Sequence, residues 1–301
     1  MLETLALVTC DPVPEGADES SLEAGLLEAG VAFRWVAWDD PTTSWANYDA
    51  VLIRTTWDYH HRLAEFLAWA DRVEQVTRLV NPASVLRWNS HKGYLLELEG
   101  AGVAVIPSVV VPRSAGTALV DVAGGAGWSL DADVVVKPAV SVGSLGAERG
   151  LADDARVVDA FRTLVESGDT LVQPFLPEVV STGETSTVFV AGGVSHALVK
   201  VPARGDYRSQ PEWGGQLRGI DPPAACIELG AAAIRVAEHA VGSPIFYARV
   251  DTIELDGSPR LIELELIEPD LFYRYSPPGA AVALGHALQT LLHDITGPVA
   301  R

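Results

Sequence analysis

The sequence predicts an α/β fold with a parallel sheet near its amino terminus. The main observation is that apolar runs alternate with stretches of helical spacing, with strands at 2–8, 31–36 and 50–54 and helices at 19–29 and 63–76. Such alternation is typical of parallel strands that are connected by helices. The 301 residues exceed what one compact core usually holds, so we expect two or three subdomains.

The remaining two thirds of the chain combine further helices with hairpins of the α+β type. Predicted helices lie at 88–98, 119–128, 224–241 and 284–295. Predicted strands lie at 103–111, 133–137, 170–172, 184–190, 194–201, 245–255 and 260–267. A proline inside the run 103–111 favours an edge strand or a linker there.

The composition indicates a folded acidic protein and excludes several classes of partner. The net charge is −19, from 21 basic and 40 acidic residues, which argues against nucleic acid and anionic membrane surfaces. We find no apolar run that could span a membrane and no basic leader of a secretory signal. The two cysteines form no disulfide framework or zinc pattern, so the sequence predicts a cytoplasmic protein.

The predicted hairpin near the carboxyl end brings three carboxylates together. Its strands are joined by an Asp-Gly turn at 256–257, with Asp251 on the first strand and Glu263 and Glu265 on one face of the second. Arg249 shares that face. Acids on an otherwise apolar sheet are costly without a cation, and carboxylate oxygens suit Mg²⁺. On the residues alone, a solvated edge hairpin is an equally good interpretation.

A strand followed by a loop of small residues predicts a phosphate-binding element. The strand at 133–137 ends in Lys137, and Ser141, Gly143 and Ser144 follow. Glycines allow backbone N–H groups to approach an anion, serines add hydroxyl donors, and the lysine supplies a point charge. The lysine precedes the glycines, unlike the P-loop order, and a plain turn is the alternative.

Two later segments have the composition of a ligand-binding hinge and a lid. Prolines on either side of Phe175 and Leu176 stiffen the run 173–178, whose side chains could cover a flat ligand. A long loop then follows the strand at 194–201, and long loops in compact domains are often lids. This region also holds a cationic patch, formed by Lys200, Arg204 and Arg208.

Polar and aromatic side chains follow the third predicted strand, namely Arg54, Trp57, Asp58 and Tyr59. Parallel sheets bind ligands beyond the carboxyl ends of their strands, so this edge is a candidate site. Core packing of the aromatic rings and a local ion pair between Arg54 and Asp58 are the alternatives.

Taken in order, these segments resemble the ATP-grasp superfamily, and within it carboxylate–amine ligases such as the ribosomal-protein S6 glutamate ligase and glutathione synthetase. The most specific portion is GDYRS at 205–209, followed by glycines 214 and 215. The resemblance implies an ATP-grasp fold with an N-terminal pre-ATP-grasp domain of parallel sheet at 1–88. It implies a central subdomain with the lysines and the glycine loop at 89–172, and a C-terminal subdomain with the metal site at 173–301.

The same resemblance implies roles for individual residues. ATP would be held by Lys92, Lys137, Ser141, Gly143, Ser144, Gln173, Phe175, Leu176, Glu184 and Lys200. Mg²⁺ would be held by Asp251, Glu263 and Glu265, and the catalytic arginines would be Arg249 and Arg208. Three positions depart from the family pattern: Pro174 replaces a usual acid, Glu265 an asparagine, and Lys200 an arginine with its bidentate fork.

The implied reaction activates a substrate carboxylate as an acyl phosphate, which a nitrogen then attacks. The segments 54–69, 87–92 and 261–272 resemble the group containing the O-ureido-D-serine cyclo-ligases of D-cycloserine biosynthesis. That group implies intramolecular cyclisation of a small amino-acid-like substrate, held by Arg54, Trp57, Asp58 and Arg204 together with Arg208. The alternatives are an intermolecular amino-acid or peptide ligase and a non-catalytic ATP-binding scaffold. Homodimers are common among such ligases.

Overall fold

The computed structural model describes residues 4–14, 19–129, 131–209 and 214–293. The strands are β1 (Leu5–Thr9), β2 (Phe33–Ala37), β3 (Ala50–Thr55), β4 (Arg78–Val80), β5 (Val109–Val111), β6 (Asp133–Pro138), β7 (Glu148–Leu151), β8 (Thr170–Pro174), β9 (Glu184–Val190), β10 (Gly193–Val201), β11 (Gln216–Ile220), β12 (Tyr247–Leu255) and β13 (Ser258–Glu265). The helices are α1 (Ser20–Glu28), α2 (Leu63–Glu74), α3 (Ala83–Asn89), α4 (Tyr94–Gly100), α5 (Leu119–Gly125), α6 (Ala155–Ser167), α7 (Glu178–Ser181), α8 (Ala224–Val241) and α9 (Ala280–His293).

The first sheet is parallel throughout, in the order β2-β1-β3-β4, which confirms the predicted fold class. Every residue of β1 and β3 is buried, because elements cover both faces of the sheet. On one face, α2 packs Phe66 and Trp69 into a core with the inner strands. The carboxyl end of β3 therefore reaches the interior of the molecule.

The carboxyl-terminal helix α9 returns to this first sheet and packs against α1. Two glycines allow the close approach: a Cβ at Gly25 would overlap Ala281, and one at Gly285 would overlap Ala29. The core on this face joins leucines of both helices with those of β1. The end of the chain is thus tied to its beginning.

Two antiparallel sheets make up the rest of the fold. Strands β5-β8-β6-β7 form the second sheet, and β11-β10-β9-β12-β13 form the third. The short turn that links α3 to α4 bridges these sheets, since the backbone N–H of Lys92 donates to Ala139 O after β6 at 2.8 Å. The same turn reaches the β12–β13 hairpin, because Lys92 Nζ lies 2.9 Å from Glu263, so the end of β6 lies near that hairpin.

Some predicted elements differ from the observed ones. The helix predicted at 88–98 is interrupted, because Lys92 and Gly93 direct their N–H groups to Ala139 O and the His91 side chain. The strand predicted at 103–111 shortens to the edge strand β5, while Ile106 bonds instead to Leu261. Residues 2–3 of the first predicted strand, 210–213 of the predicted lid and 294–295 of the last predicted helix lie outside the described residues. No helix in the described ranges is long and apolar enough to cross a membrane.

Candidate active site

A cavity of about 580 Å³ lies where the second and third sheets meet the end of β3. Its volume is in the range of small-molecule sites. Every residue predicted to bind ATP or Mg²⁺ lines it, as do both predicted catalytic arginines and Trp57. Three predicted substrate residues are not part of its wall: Arg54, Asp58 and Arg204.

The β12–β13 hairpin places the three predicted metal ligands side by side. Asp251 lies opposite Glu263, and Arg249 lies opposite Glu265, in the register of the two strands. One oxygen from each of Asp251, Glu263 and Glu265 can lie within 4.8 Å of the others, which confirms their predicted proximity. Three hard oxygen donors at this spacing fit Mg²⁺.

Neighbouring cations give these carboxylates different pKa values. Burial would raise the pKa of Asp251, but Arg249 and Lys200, at 2.9 and 3.2 Å, hold it well below its usual range. Burial would also raise the pKa of Glu263, but the charges of Lys92 and Lys137 outweigh it and lower the pKa to about 2. For Glu265, burial and the adjacent acids outweigh Arg249 and raise the pKa to about 7. A divalent cation here would compensate the charge that the protein leaves unbalanced.

The two lysines differ in how they are held. Lys92 Nζ pairs with Glu263 at 2.9 Å and donates to Ser141 O at 3.1 Å. Lys137, at the end of β6, forms no ion pair within the described chain, and burial together with Lys92 lowers its pKa. An anion such as a phosphate would restore a favourable partner for its charge.

The glycine-rich loop after β6 lines the cavity and is built from two tight turns, closed by hydrogen bonds from Leu145 N to Val142 O at 3.0 Å and from Ala147 N to Ser144 O at 3.1 Å. Gly143, Ser144 and Gly146 have φ angles of 58°, 61° and 75°, in the left-handed region. The two glycines lack a Cβ, so the backbone there can approach an anion closely. Ser141 is held at the start of the loop, where its hydroxyl donates to Pro138 O at 3.2 Å. The loop therefore fits the predicted phosphate-binding role.

At the opposite end of the cavity, the hinge supplies an apolar wall. Phe175 and Leu176 line the cavity, and the guanidinium of Arg149 lies 3.2 Å from the Phe175 ring centroid. Gln173 donates through Nε2 to Ser108 Oγ at 2.9 Å. These contacts fix a flat surface of the kind that a nucleobase could cover.

Glu184 and Lys200 connect this wall to the metal ligands. Lys200 Nζ lies 2.6 Å from Glu184 and 3.2 Å from Asp251. Ser209 donates to the second oxygen of Glu184 at 3.1 Å, so the end of the described loop is anchored at the cavity. In the same loop, Arg208 pairs with Asp206 at 2.8 Å.

The three residues outside the wall have other partners. Arg54 is completely buried, pairs with Glu19 at 2.9 Å and donates to Pro269 O at 2.8 Å. Asp58 accepts from Trp38 at 2.9 Å and pairs with Arg62 at 2.8 Å. These partners replace the Arg54–Asp58 pair considered from the sequence, and Arg204 is exposed. Direct contact between these three side chains and a substrate therefore has no support in the geometry.

Several cavity residues have no predicted role from the sequence. They are Asn89, Tyr94, Glu268, Asp270, Phe272 and Arg274, among others. Four of them follow β13 in the segment EPDLFYR, where strand periodicity ends and no spacing rule assigns a face. The sequence feature that could have indicated a site here is the pair of acids on either side of Pro269, directly after a strongly apolar run.

A glycine-rich loop and Lys137 at the end of β6, with Lys92 in the adjoining turn and a carboxylate hairpin opposite, form the arrangement of an ATP-grasp ligase. Residues 5–81 match the family model described as "D-cycloserine synthetase DcsG, N-terminal domain". The cycloserine biosynthesis protein DcsG of Streptomyces lavendulae is 34% identical over 92% of this chain and 95% of the relative. The chain belongs to the DcsG family.

Solved structures agree with this assignment. The crystal structure of D-cycloserine synthetase DcsG has a TM-score of 0.85 at 30% identity, and the match covers 96% of this chain and 99% of that one. A D-alanine–D-alanine ligase from Bacillus anthracis, complexed with ATP, shares the fold with a TM-score of 0.70 at 13% identity over 98% of both chains. The protein is thus an ATP-dependent ligase that forms carbon–nitrogen bonds and uses ATP with Mg²⁺.

Proposed function

We propose that this enzyme converts O-ureido-D-serine to D-cycloserine by intramolecular cyclisation. The observation that carries the proposal is one continuous cavity. It joins the phosphate loop and carboxylate hairpin to a second region lined by Trp57, Glu268, Phe272 and Arg274. A small zwitterionic substrate in that region would have its carboxylate beside the γ-phosphate of ATP. The similarity to DcsG along nearly the whole chain supports this choice of substrate.

In the first step, a substrate carboxylate oxygen attacks the γ-phosphorus of ATP, giving an acyl phosphate and ADP. Lys92, Lys137 and the N–H groups of the glycine loop neutralise charge on the phosphoryl oxygens. Asp251, Glu263 and Glu265 would hold Mg²⁺, which supplies further charge neutralisation on those oxygens when bound. Gln173, Phe175, Leu176 and Glu184, with Lys200, would bind the nucleoside.

In the second step, the ureido nitrogen that is bonded to oxygen attacks the acyl carbon and loses its proton as phosphate leaves. Hydrolysis of the carbamoyl group on that nitrogen, which is released as carbon dioxide and ammonia, then completes D-cycloserine. Arg249 is held between Asp251 and Glu265, with its Nη1 donating to Asp270 O at 3.2 Å. A guanidinium fixed in this way can stabilise the oxyanion of the tetrahedral intermediate, and Arg208 would assist from the loop. Enclosure in the cavity limits hydrolysis of the acyl phosphate.

The test is ADP release with ATP, Mg²⁺ and O-ureido-D-serine, followed by mass spectrometry of the products. Other small amino-acid derivatives are added singly and in pairs. ADP release with O-ureido-D-serine alone and formation of D-cycloserine is the expected result. Release only with pairs would identify an intermolecular ligase, and tight ATP binding without any release would favour a scaffold.

We also propose, from the order of the sheets, a domain division at 1–88, 89–172 and 173–301. Strand β8 crosses the second boundary, and α9 packs on the first domain.

We further propose a cytoplasmic location and a homodimer. We also propose that the protein has no nucleic-acid partner, and the net charge of −19 supports this last proposal. Light scattering coupled to size-exclusion chromatography would test the dimer.

A further inference from the structure

The segment from Leu266 to Asp270, directly after β13, is fixed by buried side chains of other elements. Asn81 Nδ2 donates to Leu266 O at 2.9 Å, and Leu266 N donates to Asn89 Oδ1 at 2.8 Å. The Ile267 carbonyl accepts from the hydroxyl of Tyr247 at 2.5 Å, and that of Pro269 from Arg54 at 2.8 Å. The backbone on both sides of Glu268 is therefore held rigidly.

The Glu268 side chain itself has no such partner. It lines the cavity at 9% exposure and forms neither an ion pair nor a hydrogen bond with another residue in the described ranges; its hydrogen bond is with its own backbone N–H. The other five acids of the cavity wall each have a cation within 3.2 Å: Glu184, Asp251, Glu263, Glu265 and Asp270. A buried carboxylate without a paired cation is costly. Burial and then the charge of Glu265 raise the pKa of Glu268 well above the usual range and outweigh the charge of Lys92, whose ammonium is paired with Glu263.

The metal cluster does not account for Glu268. The carboxylates close enough to share one ion are Asp251, Glu263 and Glu265, and Glu268 is outside that group. The phosphates of ATP are anions and cannot be its partner either. A cation that pairs with Glu268 can instead be supplied by the second ligand of the cavity.

Aromatic residues complete the surroundings of Glu268. Trp57 and Tyr59 line the same cavity as Glu268. Burial and then the charge of Glu268 raise the pKa of Tyr59. A carboxylate beside aromatic side chains is a suitable environment for an ammonium group, which gains both an ion pair and contact with the rings.

We propose that Glu268 binds the α-ammonium group of the amino-acid substrate and so makes the enzyme selective for substrates with a free amine. The inference rests on the proposed function, because it takes the second ligand to be an amino-acid derivative. Binding of the ammonium group at Glu268 would also orient the substrate, because its carboxylate can then be turned toward Lys92 and the carboxylate hairpin.

The test compares two ligands on two proteins by isothermal titration calorimetry, with Mg²⁺ and a non-hydrolysable ATP analogue present. The ligands are O-ureido-D-serine and its deamino analogue, 3-(ureidooxy)propanoate. The proteins are the wild type and Glu268→Gln. A hydrogen-bonded charge pair of this kind contributes about 10- to 100-fold in affinity. We expect the wild type to bind the amine that much more tightly than the deamino analogue.

Glu268→Gln should weaken binding of O-ureido-D-serine by a similar factor and change the affinity for the deamino analogue by less than about twofold. The reason is that removing the ligand amine and replacing Glu268 eliminate the same interaction. Glu254→Gln, an exposed acid of the same hairpin, is the matched control and should change neither affinity. Equal weakening of both ligands by Glu268→Gln would overturn the proposal. The proposal would also be overturned if Glu268→Gln bound O-ureido-D-serine as the wild type does but had a lower kcat. A raised Mg²⁺ requirement of this variant would overturn it as well.

Turnover is measured separately, so the two proposals can fail independently. If the binding pattern holds but ADP release with O-ureido-D-serine is absent, the ammonium site stands and cyclisation fails. If cyclisation occurs without the binding pattern, the role of Glu268 is wrong. Absence of O-ureido-D-serine binding to the wild type would also overturn the ammonium site.

Discussion

Replacing Glu263 by glutamine distinguishes the role of this side chain in Mg²⁺ binding from its contribution to folding stability. The substitution keeps the shape of the side chain but removes a charge that pairs with Lys92 at 2.9 Å and is a candidate ligand of Mg²⁺. The pKa of Glu263 lies at about 2 instead of the usual 4.5, because Lys92 and Lys137 outweigh its burial. That difference corresponds to about 3 kcal/mol of interaction with the ionised form.

The sign of the pH effect follows from the direction of the shift. A carboxyl whose pKa is lowered on folding stabilises the protein above pH 4.5, and this contribution is lost as the pH falls toward 2. At pH 7, Glu263→Gln should therefore lower the free energy of unfolding of the metal-free protein by at most about 3 kcal/mol, since removal of the charge also removes its burial cost. The loss should shrink on acidification.

Two assays measure these effects side by side. Urea denaturation at pH 7 and at about pH 2.5 reports the stability difference, and ADP release against Mg²⁺ concentration reports the metal site. We expect a Mg²⁺ requirement raised by at least about tenfold, with Glu254→Gln unchanged in both assays. A variant with the wild-type Mg²⁺ dependence would refute the metal assignment, and a stability loss that persists undiminished at about pH 2.5 would refute the electrostatic explanation.

Three further predictions concern other parts of the molecule. Lys137→Ala should raise the dissociation constant of ATP about tenfold or more, and calorimetric titration with ATP measures this. Thermal stability should change little, because the attraction to Glu263 that is lost is offset by the burial cost of the Lys137 charge. The pKa of Glu265 is raised on folding, so its ionisation should cost the metal-free protein stability as the pH rises from 4.5 through about 7. Denaturation series should show a shallower slope for Glu265→Gln than for the wild type, with the raised pKa values of Glu184 and Glu268 accounting for what remains. Gly25→Val should destabilise the protein by about 1–3 kcal/mol through overlap with Ala281, and refolded protein that keeps wild-type stability would show that α1 and α9 can separate at no cost.

The sequence predicted elements well where local chemistry decides them. The helix α8 was predicted at its observed bounds, and the alternation of strands and helices gave the parallel first sheet. The carboxylate hairpin followed from strand periodicity and its Asp-Gly turn. Its pairing of Asp251 with Glu263 also depends on a register shift after Asp251, which the sequence does not reveal.

Contacts between distant segments could not be read in the same way. Arg54 follows the third strand and was expected to reach the substrate, but its guanidinium is taken by Glu19 and Pro269. Neither partner is near Arg54 in the sequence. Glu268 was missed for the opposite reason, because its role depends on the absence of a partner among the described residues, which only the folded arrangement shows.

The amino-terminal sheet has a direct structural connection to the catalytic hairpin. Asn81 and Asn89, on either side of α3, form side-chain amide hydrogen bonds with the backbone at 264–266. Arg54, at the end of β3, donates to the carbonyl of Pro269. Each of these contacts lies within five residues of a carboxylate that faces the cavity. Because the buried amides would otherwise be unsatisfied, the first sheet and the hairpin are expected to move as one unit. These contacts therefore help to fix the position of Glu268 relative to the three carboxylates of the hairpin.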